Sequence, residues 1–276
     1  MGRLGIIAAR GPLPLQLALA ARDQGENPYI IRLKGQCERD FSGFETVCLP
    51  VGKVGAITNH LRQADCDKLA LVGQFKRPSV ADISFDKVGL ALMGKLMLTG
   101  DDTALRIVAA HFAEHGISVV ANADYLPDSI LPLQFQTARA LTPGEVLAAH
   151  HACHVLDQLG DMDVGQSVVV QQKRVLAIEG AEGTNEMIDR VASLIDRSQP
   201  DTVFVKLAKS GQDISLDIPV FGLDTLSHLQ QAGIRAVCLD GGRLMLANPL
   251  EEVVAAADKL DMSVFSRASL PEISDD

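Results

Sequence analysis

Aromatic side chains are scarce in this chain, at 4% of 276 residues, and tryptophan is absent, so any core must be built from aliphatic residues. Positive charge is also in deficit. The formal net charge is -10 and no dense cluster of Lys and Arg occurs, which excludes binding that works by neutralising nucleic-acid phosphates. The same balance argues against generic attraction to anionic membrane surfaces. The five cysteines, Cys37, Cys48, Cys66, Cys153 and Cys238, are widely spaced and form no CxxC pair, so neither a structural zinc site nor a disulfide framework is expected, and the compartment is read as reducing. No apolar run reaches the roughly 18 residues needed to cross a bilayer. Pro12 and Pro14 split the apolar residues of MGRLGIIAARGPLPLQLALAA, which lacks the small-residue cleavage site of a signal peptide. A cytoplasmic location is expected. Internal repeats and low-complexity tracts are missing as well.

What is present suits a globular protein: 47% hydrophobic and 22% charged residues. Domains commonly hold roughly 100 to 200 residues, so two are expected here. The boundaries read as 1–130 for an N-terminal α/β domain, 131–143 for a linker carrying Pro132 and Pro143, and 144–276 for a C-terminal α/β domain.

In the first half, apolar runs at Leu4–Ala8, Tyr29–Leu33, Glu45–Leu49, Lys68–Val72 and Ile117–Val120 alternate with helical spacing at Leu15–Arg22, Gly55–Gln63 and Thr103–His115. Alternation of this kind predicts a Rossmann-like parallel sheet with flanking helices, whose ligands sit beyond the carboxyl ends of the strands. Two strand ends then stand out. Ala8–Leu13 places backbone N–H groups at a helix start, where they can hold a phosphate or simply close a turn, a full GxGxxG being absent. GQFKRP places Lys76 and Arg77 where such a sheet presents ligands, or in a solvated basic turn. Asp101 or Asp102 is read as the N-cap of the helix that follows.

The second half opens on a helix at Gly144–Leu159 with His150 and His154 on one face; without an intervening Glu or a third ligand they are read as ordinary surface or core histidines. Ser167–Val170 and Val175–Glu179 read as a hairpin, Thr184 as the N-cap of a helix Asn185–Ile195, and Thr202–Leu207, Ile218–Phe221 and Ala236–Leu239 as further strands. Helices are expected at Asp224–Ala232 and Leu250–Leu260, and a frayed tail from Ser266. A mixed α/β domain results. Its strand ends carry Glu179 and Glu182, Lys206 and Lys209, and Asp213 and Asp217. Carboxylates alternating with lysines suit a divalent cation beside a phosphate ester, and equally suit surface ion pairs at loop ends.

The phrases LGIIAARGPLP, GQFKRP, TGDDTALR, DVGQSVVV, VLAIEGAEGTNEMIDR, VKLAKSGQD, LDIPVFGLDT and LDGGRLMLAN follow one another over nearly the whole chain. In order and spacing they resemble the LpxI family of UDP-2,3-diacylglucosamine pyrophosphatases. The resemblance implies two domains with substrate in an interdomain cleft and Mg2+-dependent hydrolysis to UMP and 2,3-diacylglucosamine 1-phosphate (lipid X) in lipid A biosynthesis. It implies Asp217, Asp213, Lys206 and Lys209 as catalytic residues, with Asp217, Glu182 and Asp213 toward the metal. Gly11, Leu13, Lys76, Arg77, Asp102, Gln166, Gly183, Thr184 and Gln212 would contact substrate. The partners implied are the UDP-linked diacylated glucosamine and, transiently, the inner-membrane surface, which makes the protein peripheral there, with a homodimer left open. The chain departs from the family pattern at Ala9-Arg10-Gly11, where a richer glycine run is usual and Arg10 could block close backbone approach or add a phosphate contact, at Asn185, where Asp is more usual, and at Ser210 and Leu223, where Pro is common.

The stretch Gly89–Leu98 is apolar on nearly all sides, as a core helix would be, or as one lining a lipid tunnel or touching a bilayer. Rival functions are a non-catalytic nucleotide-sugar or lipid-binding regulator and a nucleotide-sugar transferase. Replacing Asp217 separates catalysis from binding, and 18O water separates hydrolysis from transfer.

Overall fold

The short apolar runs of the first half form strands, and these strands lie parallel. In the computed structural model, which describes residues 2–76, 83–96 and 101–272, the chain divides into two units. The first is Met1–Pro127 with Ser215–Asp217, and the second Asp128–Ile214 with Ile218–Asp276.

The first unit runs β1 (Arg3–Ala8), α1 (Leu13–Asp23), β2 (Tyr29–Leu33), β3 (Glu45–Leu49), α2 (Val54–Gln63), β4 (Cys66–Val72), α3 (Lys87–Leu96), α4 (Asp101–Ala113) and β5 (Ser118–Val119). The sheet order is β3-β2-β1-β4-β5, with every pairing parallel. Because side chains alternate along a strand, each face of this sheet needs its own cover. One face packs Ile31, Leu33 and Leu69 against Ile57 and Leu61 of α2 and Phe112 of α4. The other carries the equally buried Leu4, Ile6, Ile30 and Ala70, with α1 against β1. Helix α1 buries Leu13, Leu17, Ala18 and Ala21, a stripe at helical spacing.

Helix α3 is the described part of the apolar stretch 89–98, and it is not a core helix. It buries Gly89 and Leu92 and leaves Val88 and Leu90 exposed, Leu90 by 63%. Gly89 is needed at its buried edge, since a Cβ there would lie 2.0 Å from the Gly52 carbonyl oxygen.

The second unit runs α5 (Pro143–Gly160), β6 (Ser167–Gln171), β7 (Arg174–Ile178), α6 (Thr184–Val191), β8 (Thr202–Lys206), β9 (Val220–Phe221), α7 (Leu223–Ala232), β10 (Ala236–Leu239), β11 (Met245–Leu246), α8 (Leu250–Lys259) and β12 (Ser263–Ser266). Its mixed sheet has the order β12-β10-β8-β6-β7. Strands β12, β10 and β8 are parallel, and β6 runs antiparallel to both its neighbours. On one face α5 covers Val168, Val203 and Cys238 with Ala148, Ala149 and Ala152. On the other, Val169, Phe204 and Val237 pack with Met187, Leu226 and Val253 of α6, α7 and α8.

Three features differ from the sequence reading. Strand β9 leaves the main sheet and pairs with β11 in a two-stranded parallel ladder. Strand β12 lies fully buried where a frayed tail was expected to begin, its flanking serines masking the Val-Phe pair at its centre. Residues 131–143, read as a linker, are bonded into the second unit. The Leu131 N–H donates to the Leu244 carbonyl at 2.9 Å, the Thr137 N–H to that of Val264 at 3.0 Å, and the Ser266 N–H to that of Phe135 at 2.8 Å. Thr142 then starts α5 through a capping box with Glu145.

The β1–α1 turn depends on a glycine in the neighbouring strand's exit. Gly73 has φ +102°, and a Cβ on it would come within 2.6 Å of the Arg10 carbonyl oxygen. Arg10 and Gln74 exchange backbone hydrogen bonds of 3.1 and 3.0 Å across this approach. Gly73→Ala should therefore cost about 2–3 kcal/mol, read as a lowered urea midpoint. Gly25→Ala, with φ +85° but open space around its Cβ, should cost only about 1 kcal/mol. Equal losses would contradict the close approach.

Candidate functional site

In the first unit the carboxyl ends of β1 and β2 open into a cavity of about 680 Å3, lined by Ala9, Arg10, Gly11 and the segment 35–40. Two arginines brace its walls. Arg10 Nη2 donates to the Gly35 carbonyl at 3.3 Å, and Arg39 Nε donates to the Gly11 carbonyl at 3.2 Å. Gly11 sits at φ +94° with no atom within 4 Å of a built Cβ, so the turn leaves open space there. Buried Gln36 clamps the Lys76 backbone from both sides, donating to its carbonyl at 2.7 Å and accepting from its N–H at 3.1 Å. The Lys76 residue itself is exposed.

Leu13, at the first position of α1, is buried. Arg77 lies outside the described residues, as does the side chain of Asp102, whose backbone is in the first turn of α4. Sequence reasoning did not single out residues 35–40. A signal existed: two adjacent parallel strands, β2 and β3, are joined without a helix by the polar stretch KGQCERD, which Cys37 and Phe41 anchor by burial.

In the second unit, Ser167 at the start of β6, Glu179 after β7, Lys206 at the end of β8 and Asp240 after β10 share one edge of the sheet. Lys206 is 5% exposed. Its ammonium donates to Thr184 Oγ1 at 2.7 Å, and the Thr184 hydroxyl donates to Glu179 Oε1 at 2.9 Å. The second oxygen, Oε2, stands 4.0 Å from Lys206 Nζ. Burial pushes the Glu179 carboxyl up, but the Lys206 charge and the hydroxyl hydrogen bonds outweigh it and hold the group below its ordinary range. Asp240 goes the other way, raised by burial.

Thr184 does not cap α6, as its sequence suggested. Gly183, at φ 92°, takes the N-cap position and supplies no side-chain hydrogen bond. The Thr184 hydroxyl is thereby released to Lys206 and Glu179. The start of α6 keeps N–H groups that no cap side chain meets, the arrangement that favours an anion.

Next to it, Gln212 Oε1 accepts from the Lys209 N–H at 2.9 Å and from Gln166 Nε2 at 3.2 Å, binding three predicted residues into one turn. The Lys209 ammonium pairs with Asp163. Asp213 and Asp217 lie in the connection between β8 and β9, both half-buried. Asp217 comes immediately before buried Ile218 and Pro219, whose carbonyl accepts from the Met245 N–H at 2.8 Å.

Glu182 is held by Arg190 at 2.6 Å, and this hydrogen bond lowers its pKa. Among the described residues no three His, Cys, Asp or Glu side chains are grouped as a metal site. Mg2+ commonly takes only one or two protein carboxylates, with waters and substrate phosphate oxygens for the rest. Asp213 and Asp217 are carboxylates of the kind such a site draws on, and so is Glu182, which the Arg190 guanidinium engages.

The positions at which the resemblance implies other residues have structural roles here. Asn185 donates to Asp224 Oδ2 at 2.6 Å and accepts from Thr225 Oγ1 at 2.9 Å, tying α6 to α7. The Leu223 N–H donates to Asn248 Oδ1 at 3.1 Å, a bond that a proline would forfeit. Ser210 bonds Asp161.

A carboxyl whose folded pKa is depressed gives stability that is complete above its unfolded value and lost as pH falls through the folded one. For Glu179 the loss sets in below about pH 4.5. Glu179→Gln should cost about 3 kcal/mol at pH 7, since it leaves Lys206 without its counter-charge. The gap should narrow below pH 4.5. Urea midpoints at pH 7, 4.5 and 3.5 test this, and a constant gap would refute it.

Two domain models match the chain: the LpxI N-terminal domain over residues 3–129 and the LpxI C-terminal domain over residues 133–265. The UDP-2,3-diacylglucosamine pyrophosphatase LpxI of Caulobacter vibrioides is 29% identical over 273 residues, covering 96% of this chain and 97% of its own. Among solved structures, the Bordetella bronchiseptica enzyme WbmG shows 14% identity and a TM-score of 0.36, covering 96% of this chain and 72% of that one. The UDP-N-acetylglucosamine 4-epimerase of Bacillus cereus shows 11% identity and a TM-score of 0.32, covering 96% and 75%. Structural likeness at that level supports no conclusion. With both domain models matched in order along its length, the chain belongs to the LpxI family.

Proposed function

We propose that this protein hydrolyses the pyrophosphate bond of UDP-2,3-diacylglucosamine, releasing UMP and 2,3-diacylglucosamine 1-phosphate for lipid A assembly. The observation that carries the reading is the Lys206, Thr184 and Glu179 arrangement beside the uncapped start of α6, in a chain matched by both domain models of the family. A buried ammonium with compensated charge, a hydroxyl and a helix N-terminus suit the oxygens of a phosphate ester.

In this reading Asp217 orients the attacking water and takes up its proton, as a carboxylate set on an anchored segment can. Water attacks the sugar-side phosphorus. Its oxygen enters the lipid phosphate, and the bridging oxygen leaves with UMP. Lys206 and the α6 N–H groups offset charge that builds on phosphate oxygens, while Gln166, Lys209 and Gln212 keep the neighbouring turn in shape. Asp213 and Asp217 would hold Mg2+, which when bound neutralises diphosphate charge.

No helix among the described residues is long and apolar enough to cross a membrane. A two-tailed substrate does not leave a bilayer cheaply, and a peripheral position with exposed Val88 and Leu90 of α3 toward the lipid fits that need. The reaction would then run at the cytoplasmic surface of the inner membrane.

Asp217→Ala should lower UMP release about 1,000-fold while substrate binding is kept. Full turnover in this variant would remove Asp217 from the mechanism, and loss of binding with turnover would favour a positioning role. In 18O water the label should appear in the sugar phosphate. Label in neither product would exclude hydrolysis.

A further inference from the structure

On the α5 side of the second unit lies a cavity of about 350 Å3, lined by His150, Cys153, His154, Asp157, Arg267 and Leu270. The proposed hydrolysis uses none of these residues. Two of them are engaged with each other: Arg267 reaches Asp157 with two hydrogen bonds, of 2.8 and 2.7 Å. His150 bonds the Pro271 carbonyl at 2.8 Å. Cys153 differs, because its sulfur meets that of Cys238 at 4.0 Å. Cys153 lies on α5 at the cavity wall and is 4% exposed, whereas Cys238 lies on β10, an interior strand of the sheet, and is 0% exposed. The other cysteines, Cys37, Cys48 and Cys66, all belong to the first unit.

Two thiols packed together can serve as small apolar filler. Filler does not require one sulfur to border a cavity that also carries a guanidinium, or its partner to sit directly behind it. We propose that Cys153 and Cys238 form a peroxide-reactive thiol pair, in which Cys153 is oxidised from the cavity and Cys238 then closes a disulfide joining α5 to β10. The asymmetry agrees with the surroundings. The hydrogen bond with Cys238, together with the Arg267 charge, holds the Cys153 thiol below its ordinary range, while the same contact and complete enclosure push Cys238 well up.

The chemistry balances. The Cys153 thiolate attacks one peroxide oxygen, an S–O bond forms, the O–O bond breaks, and hydroxide leaves to become water by taking the thiol's proton. Cys238 sulfur then attacks Cys153 sulfur, the S–S bond forms, and the sulfenic oxygen leaves as water with the Cys238 proton. Two thiols and one peroxide give one disulfide and two waters. The sulfurs must close from 4.0 Å to about 2 Å for the bond to form.

The test uses the full chain and hydrogen peroxide, at a dose that leaves the circular dichroism spectrum unchanged. Thiol titration after denaturation should fall from five to three, and a non-reducing digest should contain a linked peptide joining Cys153 to Cys238 that dithiothreitol removes. In Cys238→Ala the reaction should stop at a Cys153 sulfenic acid that dimedone traps. Oxidation of exposed Cys48 with Cys153 unmodified would overturn the proposal, as would Cys153 passing to sulfinic acid in the unsubstituted protein without linkage. The digest of the unsubstituted protein decides the matter even where the alanine variant fails to fold, and neither result depends on the proposed hydrolysis.

Discussion

A lysine ammonium placed at the buried end of a central strand must be compensated, and in the second unit much of the local architecture follows from that demand. Lys206 closes β8 among Val203, Phe204 and Val205, all fully buried. Removing such a charge from water is affordable only with an opposite charge and hydrogen bonds in place. Glu179 supplies the charge from the end of β7, and Thr184 links the two through its hydroxyl. That use of Thr184 explains why Gly183 takes the N-cap: a capping threonine would turn its oxygen to the helix backbone instead of to lysine. One electrostatic requirement therefore sets the β7–α6 turn, leaves the helix start uncapped, and places a cation beside it.

The first unit reaches a comparable opening by a different route. Its parallel sheet directs loops to the carboxyl ends of β1, β2 and β4, and backbone contacts hold their described residues together. Gly73 allows the β4 exit to approach the β1–α1 turn, and Gln36 clamps Lys76 through its backbone. Arg10 and Arg39 each bind a carbonyl of the opposite wall. Arg10 thus acts as a brace. It does not fill the turn, because the space at Gly11 stays open.

Much of this fold was legible because its signals are local. β2, β3 and β10 run over the residues that their apolar runs predict, and the β6–β7 hairpin forms although its turn has no glycine, Gln172 taking a positive φ instead. What escaped was set by distant partners. Nothing in SVFS announces a buried strand until Val264 is given the Thr137 backbone to pair with. Ile218–Phe221 reads like any core strand, yet only two of its residues pair, and with β11. The polar residues divide in the same way. Gln166, Thr184, Lys206, Lys209 and Gln212 were recognisable from their motifs, but their connections to Glu179 and Asp163 depend on which loops meet. Asp240 drew no attention in sequence, and its place beside the end of β8 comes entirely from strand order.

The same distinction bears on the carboxylates. By position Glu182, Asp213 and Asp217 are all acids at strand ends, while the resemblance turns all three toward the metal and makes Asp213 and Asp217 catalytic as well. Geometry sets Glu182 apart, because Arg190, on α6, closes on it at 2.6 Å. A guanidinium that bonds a carboxylate this closely competes for the lone pairs a metal would use. Recruiting Glu182 would mean breaking that pair and leaving Arg190 to find another acceptor. Asp213 and Asp217 sit on a connection whose far end is anchored by Pro219 and Met245. A site in which the diphosphate itself provides most of the oxygens therefore asks less rearrangement at Glu182 than a cage that recruits this carboxylate.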